Sequence, residues 1–129
     1  MIRILIADDS KVARDMVKRT FSNAFPSETF EFDEASDGQE LYDKATAGGN
    51  WAVVATDWNM PEMTGIEVLR KLKAEGKLKD LPPVGFATSE STLQMKADAD
   101  QIPTSFFLIK PHSVEQFKAT FGPIFDKKP

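Results

Sequence analysis

Five short apolar runs, separated by amphipathic segments, constrain this chain more than any other feature. The runs are Ile2 to Ala7, Thr29 to Ala35, Trp51 to Thr56, Val84 to Ala87 and Phe106 to Ile109. Most are nearly continuous in hydrophobic residues, as parallel strands covered on both faces must be. The second run is different: Phe30 and Phe32 alternate with Glu31, Asp33 and Glu34. Such alternation leaves one face to water and places this strand at a sheet edge. The intervening segments carry apolar residues at helical spacing, such as Val12, Ala13, Met16, Val17 and Phe21 over residues 11–23, and Val114, Phe117, Phe121 and Ile124 near the end. Their start signals recur. Ser10 precedes the first helix, and the pairs Asp37/Glu40, Thr64/Glu67, Ser91/Gln94 and Ser113/Gln116 have capping-box spacing for the other four. The second helix, from Gly38 to Ala47, stops at Gly48-Gly49, and the third stops at Gly76. Strict alternation of strand and helix requires right-handed crossovers, and hence a doubly wound, five-stranded parallel α/β sheet.

Composition narrows the function. At 129 residues the chain fits one domain, so residues 1–129 are expected to form a single unit with no output domain. Sixteen basic against twenty acidic side chains, a net charge of −4, leave no basic excess to follow a nucleic-acid backbone. The first apolar run meets Asp8 and Asp9 too soon for a signal peptide or a membrane span, so a cytoplasmic protein without a membrane partner is expected. With no cysteine and His112 as the one histidine, neither a Cys/His zinc site nor a histidine-to-histidine relay within the chain can form. His112, beside Pro111, is expected at the solvated surface. Met60 and Met63 read as loop packing, and Trp51 and Phe106 as core or strand-end filling.

Ligands of open α/β sheets bind beyond the carboxyl ends of the strands. Asp8 and Asp9 follow the first strand, Asp57 the third, Thr88 the fourth and Lys110 the fifth. Each alone has an ordinary explanation: a helix cap, a turn former, a strand-end hydroxyl, a surface lysine. Their occurrence at four ends on one edge is the informative fact. Two carboxylates about 4 Å apart at an effective dielectric near 20 repel by roughly 4 kcal/mol. Lys110 alone cannot offset three of them, and a hard divalent cation with oxygen ligands, Mg²⁺, suits the remainder. In phosphoryl transfer, charge accumulates on three equatorial oxygens. Mg²⁺, the Lys110 ammonium and the Thr88 hydroxyl can stabilise these, with Asp57 as the nucleophile. A flavodoxin-like flavin binder is the rival on this architecture, but it must cradle a phosphate after the first strand, where Asp8 and Asp9 would repel it. An aspartate-dependent phosphohydrolase is a second rival, and it needs its acid two residues beyond the nucleophile.

The stretches "ILIADDS", "TDWNMPEMTG", "FATSE" and "LIKP" resemble, in order and spacing, the receiver domain of two-component response regulators over essentially the whole chain. The single-domain chemotaxis regulators are the nearest in pattern. The resemblance implies a flavodoxin-like (βα)5 fold with strand order 2-1-3-4-5, for which the chemotaxis regulators are themselves a standard example. It implies that Asp57 accepts a phosphoryl group from a sensor histidine kinase. Mg²⁺ would be held by Asp9, Asp57 and the Asn59 backbone carbonyl, with Asp8 acting through water. Thr88 and Lys110 would bind phosphoryl oxygens, and Thr88 and Phe107 would form the switch. Asn59 and Glu90 would tune dephosphorylation, and the Lys110-Pro111 peptide would be cis. A monomer that signals to a downstream protein, such as a flagellar motor switch component, is implied, with a phosphate sink or docking receiver as the alternative. Two departures stand out. Phe107 lacks the phenolic oxygen of the tyrosine common in chemotaxis regulators, and Ile102-Pro103-Thr104 replaces the frequent Ala-Gly-Ala before the last strand.

Overall fold

Each apolar run forms a strand in the computed structural model, which describes residues 1–126. The strands are β1 (Ile2–Ala7), β2 (Phe30–Ala35), β3 (Val53–Thr56), β4 (Val84–Thr88) and β5 (Phe106–Ile109). The helices between and after them are α1 (Lys11–Ala24), α2 (Gly38–Ala45), α3 (Gly65–Ala74), α4 (Leu93–Asp100) and α5 (Val114–Phe125). All pairings are parallel, and the strand order is β2-β1-β3-β4-β5. The charged second run does lie at an edge.

Successive residues of a strand point to opposite faces, so β1 feeds two cores. Ile4 and Ile6 join Val53, Ala55 and Phe106 under α1 and α5, where Phe21, Phe117 and Phe121 are buried. Phe21 meets Phe117 and Phe121 at ring-centroid distances of 4.7 and 4.8 Å. Leu5 and Ala7 join Val54, Val84 and Phe86 on the other face, with Leu41, Ile66 and Leu69 of α2 and α3. That second core continues to the carboxyl edge through Trp58 and Met60.

Several boundaries differ from expectation, each for a local reason. β3 starts at Val53 rather than Trp51 because Asn50 turns the backbone to φ 55°, and the Trp51 ring instead lies against the Arg3 guanidinium, 4.5 Å away. β2 starts at Phe30, and α2 ends at Ala45 with Thr46 as its C-cap. The cap of α4 is Thr92, not Ser91: its hydroxyl accepts from the Met95 N–H, which sets Met95 and Ala99 inward one turn apart. Glu40 does not complete a box with Asp37, because its carboxylate accepts from the Ser36 N–H instead. In α5 the third buried aromatic is Phe125, while Ile124 is half-buried. A short 3-10 turn, Leu78–Asp80, precedes β4 and had no clear sequence signal.

Candidate functional site

Strand register brings the acidic residues together. Ala7 pairs with Thr56, so Asp8 and Asp57 emerge side by side, and the Asp57 N–H donates to the Ala7 carbonyl at 2.8 Å. Thr88 pairs with Ile109, and the Lys110 N–H donates to the Thr88 carbonyl at 2.8 Å. One carboxylate oxygen from each of Asp8, Asp9 and Asp57 lies within 4.8 Å of the others. The Lys110 ammonium is 2.5 Å from Asp8 Oδ2 and 4.0 Å from Asp57 Oδ2, with Asp57 largely shielded and Asp8 buried. Thus Asp8, Asp9, Asp57, Thr88 and Lys110 all reach one edge, as expected.

The backbone does part of the positioning. Asp57 Oδ1 accepts from the Trp58 N–H at 2.8 Å, and Asp8 Oδ1 accepts from the Ser10 N–H at 2.9 Å. Beneath them the Gly65 N–H donates to the Trp58 carbonyl at 2.7 Å, and a Cβ at residue 65 would lie 2.2 Å from the Asp57 carbonyl oxygen. Only glycine permits that approach. Across the mouth, the Asn59 amide donates to Glu90 Oε1 at 2.6 Å, and the Glu90 N–H donates to the buried Thr88 hydroxyl at 3.3 Å. Phe107 is half-buried and packs on Phe86 and Trp58, with centroids 5.7 and 6.4 Å apart. The Lys110-Pro111 peptide is cis.

Burial raises the Asp57 pKa above the usual carboxylate range, and the Asp8 charge adds to the rise. Lys110, the Thr88 hydroxyl and the Trp58 N–H oppose it without cancelling it. The site therefore holds more negative charge than its own cation offsets. An all-oxygen donor set with that deficit fits a hard divalent ion, and a transition metal preferring nitrogen or sulfur finds no such ligand in it. Asp8 already spends one oxygen on Ser10 and the other on Lys110, which leaves Asp9 and Asp57 as the freer ligands.

His112 is not at the solvated surface. It is half-buried against Phe117, 5.3 Å away, and among the described residues neither ring nitrogen makes a well-formed hydrogen bond or meets solvent, the nearby Ile109 backbone giving only a weak pull. It lines a cavity of about 310 Å³ with Met16 and Val17 of α1. Burial, helped by Lys110, lowers its pKa to about 4, so it is neutral at pH 7. A histidine occupying an aromatic slot is indistinguishable in sequence from a solvated one. The contributions of the Ser10 and Trp58 N–H groups also leave no sequence signal, since every residue but proline carries one.

Residues 4–121 match the response regulator receiver domain family. The chain is 31% identical over 126 residues to the chemotaxis protein CheY of Pseudomonas aeruginosa, with 98% of each chain covered. It is 29% identical to chemotaxis protein CheY1 of Helicobacter pylori, over 91% of each. The solved structure of chemotaxis protein CheY4 of Vibrio cholerae superposes with a TM-score of 0.77 at 29% identity, over 96% of this chain and 98% of that one.

Proposed function

The chain belongs to the response regulator receiver family, and from that premise we propose that it is a stand-alone switch: a sensor histidine kinase phosphorylates Asp57, and a protein partner reads the result. The observation that carries this reading is the meeting of Asp8, Asp9, Asp57 and Lys110 around one shielded carboxylate. In the proposed step an Asp57 oxygen bonds to phosphorus while the phosphorus–nitrogen bond to the kinase phosphohistidine breaks. The imidazole leaves with that bond's electron pair, neutral because its other ring nitrogen carries a proton.

Asp9, Asp57 and the Asn59 carbonyl would hold Mg²⁺, with Asp8 behind a water. Bound there, the ion supplies the positive charge that Lys110 alone cannot, keeping Asp57 ionised and drawing charge from the phosphoryl oxygens. Lys110 takes one phosphoryl oxygen. The Thr88 hydroxyl takes another after leaving the Glu90 N–H, and its inward shift opens space for Phe107 to turn into the Trp58–Phe86 cluster. Asn59 and Glu90, bonded to each other over the mouth, control how water reaches the acyl phosphate.

Similarity to chemotaxis proteins supports a chemotaxis-type regulator, and the reading is completed by a cytoplasmic monomer with a flagellar motor switch component as its downstream partner. Incubation with acetyl phosphate and Mg²⁺, followed by intact-mass measurement, tests the acceptor. Wild type should gain one phosphoryl group and Asp57→Asn none; labelling of the variant at the wild-type rate would overturn the assignment.

A further inference from the structure

We propose that Arg14 is a positioning residue for the metal site: through the Asp8 carbonyl it fixes the direction in which Asp9 presents its carboxylate. The inference rests on the magnesium reading of the acidic cluster.

Asp8 is held at every polar point. Its N–H donates to the Ala35 carbonyl at 3.0 Å, its two carboxylate oxygens accept from Ser10 and Lys110, and its carbonyl accepts from Arg14 Nη1 at 2.7 Å. Asp9 is exposed, and no hydrogen bond among the described residues holds its carboxylate. The Asp8 carbonyl and the Asp9 N–H and Cα share one planar peptide. With the next peptide held by the Ser10 N–H bond to Asp8 Oδ1, a donor that also pins this carbonyl fixes the plane on the other side of Asp9, and between the two the direction of its Cα–Cβ bond is set. Arg14 is the side chain that does so.

Arg14 is itself well anchored. Its side chain is only 14% exposed, and its Nε donates to Glu34 Oε1 at 2.8 Å, while Lys18 holds Glu34 Oε2 at 2.7 Å. The guanidinium thus ties the acidic turn to the end of the β2 edge strand, using one nitrogen for each partner. A lysine could keep the pair with Glu34, but its ammonium lacks the rigid fork that reaches both acceptors. That difference separates a positioning role from a plain tie between α1 and β2, which lysine would satisfy.

The test compares wild type, Arg14→Lys, Arg14→Met and the control Lys18→Met, which removes the other cation from Glu34 and leaves the Asp8 carbonyl bonded. Three quantities are read: the Mg²⁺ dissociation constant by amide NMR titration, the Asp9 amide resonance without metal, and the metal-free melting temperature. Loss of an outer residue that orients a metal ligand typically weakens binding about tenfold or more. Arg14→Lys should therefore bind Mg²⁺ about tenfold more weakly and move the metal-free Asp9 resonance, while melting near wild type. Lys18→Met should bind Mg²⁺ as wild type does. Wild-type affinity and an unmoved Asp9 resonance in Arg14→Lys would overturn the inference alone. A wild type that takes up no Mg²⁺ would overturn the magnesium reading and this inference together.

Discussion

At the residue scale the most telling group is Asp57, because its environment works against its own charge. Burial and Asp8 raise its folded pKa, so between the ordinary carboxylate value and the raised one the folded chain binds more protons than the unfolded chain. Stability then falls as pH rises through that window. Asp57→Asn removes the penalty. At pH 7 without metal it should stabilise the fold by on the order of 1 kcal/mol after solvent screening, a gain of about 3–5 °C in melting temperature for a domain of this size. The gain should shrink below the carboxylate range, where wild-type Asp57 is protonated as well. It should shrink again with Mg²⁺, because on the proposed reading the ion engages the wild-type carboxylate and finds a weaker ligand in the amide. Melting curves at two pH values, with and without Mg²⁺, check this; a destabilised variant would mean that Asp57 is satisfied without a cation. His112 acts with the opposite sign. Its lowered folded pKa makes it a source of acid destabilisation as pH falls from its ordinary value towards about 4.

At the scale of elements, what could be read from sequence depended on whether a signal was local. Nearly continuous apolar runs identified β1, β3, β4 and β5, and the alternation of Phe30 and Phe32 with charged residues identified β2 and placed it at an edge. The order of the strands was not in the periodicity; it entered through the family resemblance, because alternation alone allows several doubly wound orders. Site residues at strand ends were legible because parallel strands share one carboxyl edge. Boundaries were less so where two signals competed. Ser91 has capping-box spacing to Gln94, whereas burial favours a start one residue later: capped by Thr92, the helix turns Met95 and Ala99 inward. The competition has a measurable outcome. Thr92→Ala should cost about 1 kcal/mol in a urea titration, the usual loss for an N-cap hydroxyl. Ser91→Ala, which removes an exposed hydroxyl with no capping bond, should change stability by less than about 0.5 kcal/mol. Equal losses would mean that the helix frays between the two starts.

For the whole molecule, the sheet separates two cores, and the candidate site touches them unequally. Trp58 and Phe86 belong to the core under α2 and α3, and Phe107 packs against it. The phenylalanine cluster around Phe21, Phe117 and Phe121 lies on the opposite face. Closely packed interiors move between discrete arrangements rather than deforming smoothly. A change begun at Asp57 and Thr88 should therefore travel through the first core, from Trp58 and Phe86 to Phe107, and emerge near the exposed Leu93 and Ile109 of α4 and β5. The phenylalanine cluster, interlocked by edge-to-face contacts, should stay in place. Addition of Mg²⁺ and beryllofluoride, a mimic of the phosphoryl group, gives the measurement. Amide resonances of the β3–α3 and β4–α4 loops, β5 and α4 should shift. Those of Gly48 to Trp51 at the far end of the sheet, and of α5 from Phe117 to Phe125, should move little. Phe107→Ala, which removes the ring proposed to turn, should keep the shifts beside Asp57 and lose those in α4. Shifts confined to the pocket in wild type would mean that the chain holds a phosphoryl group without switching.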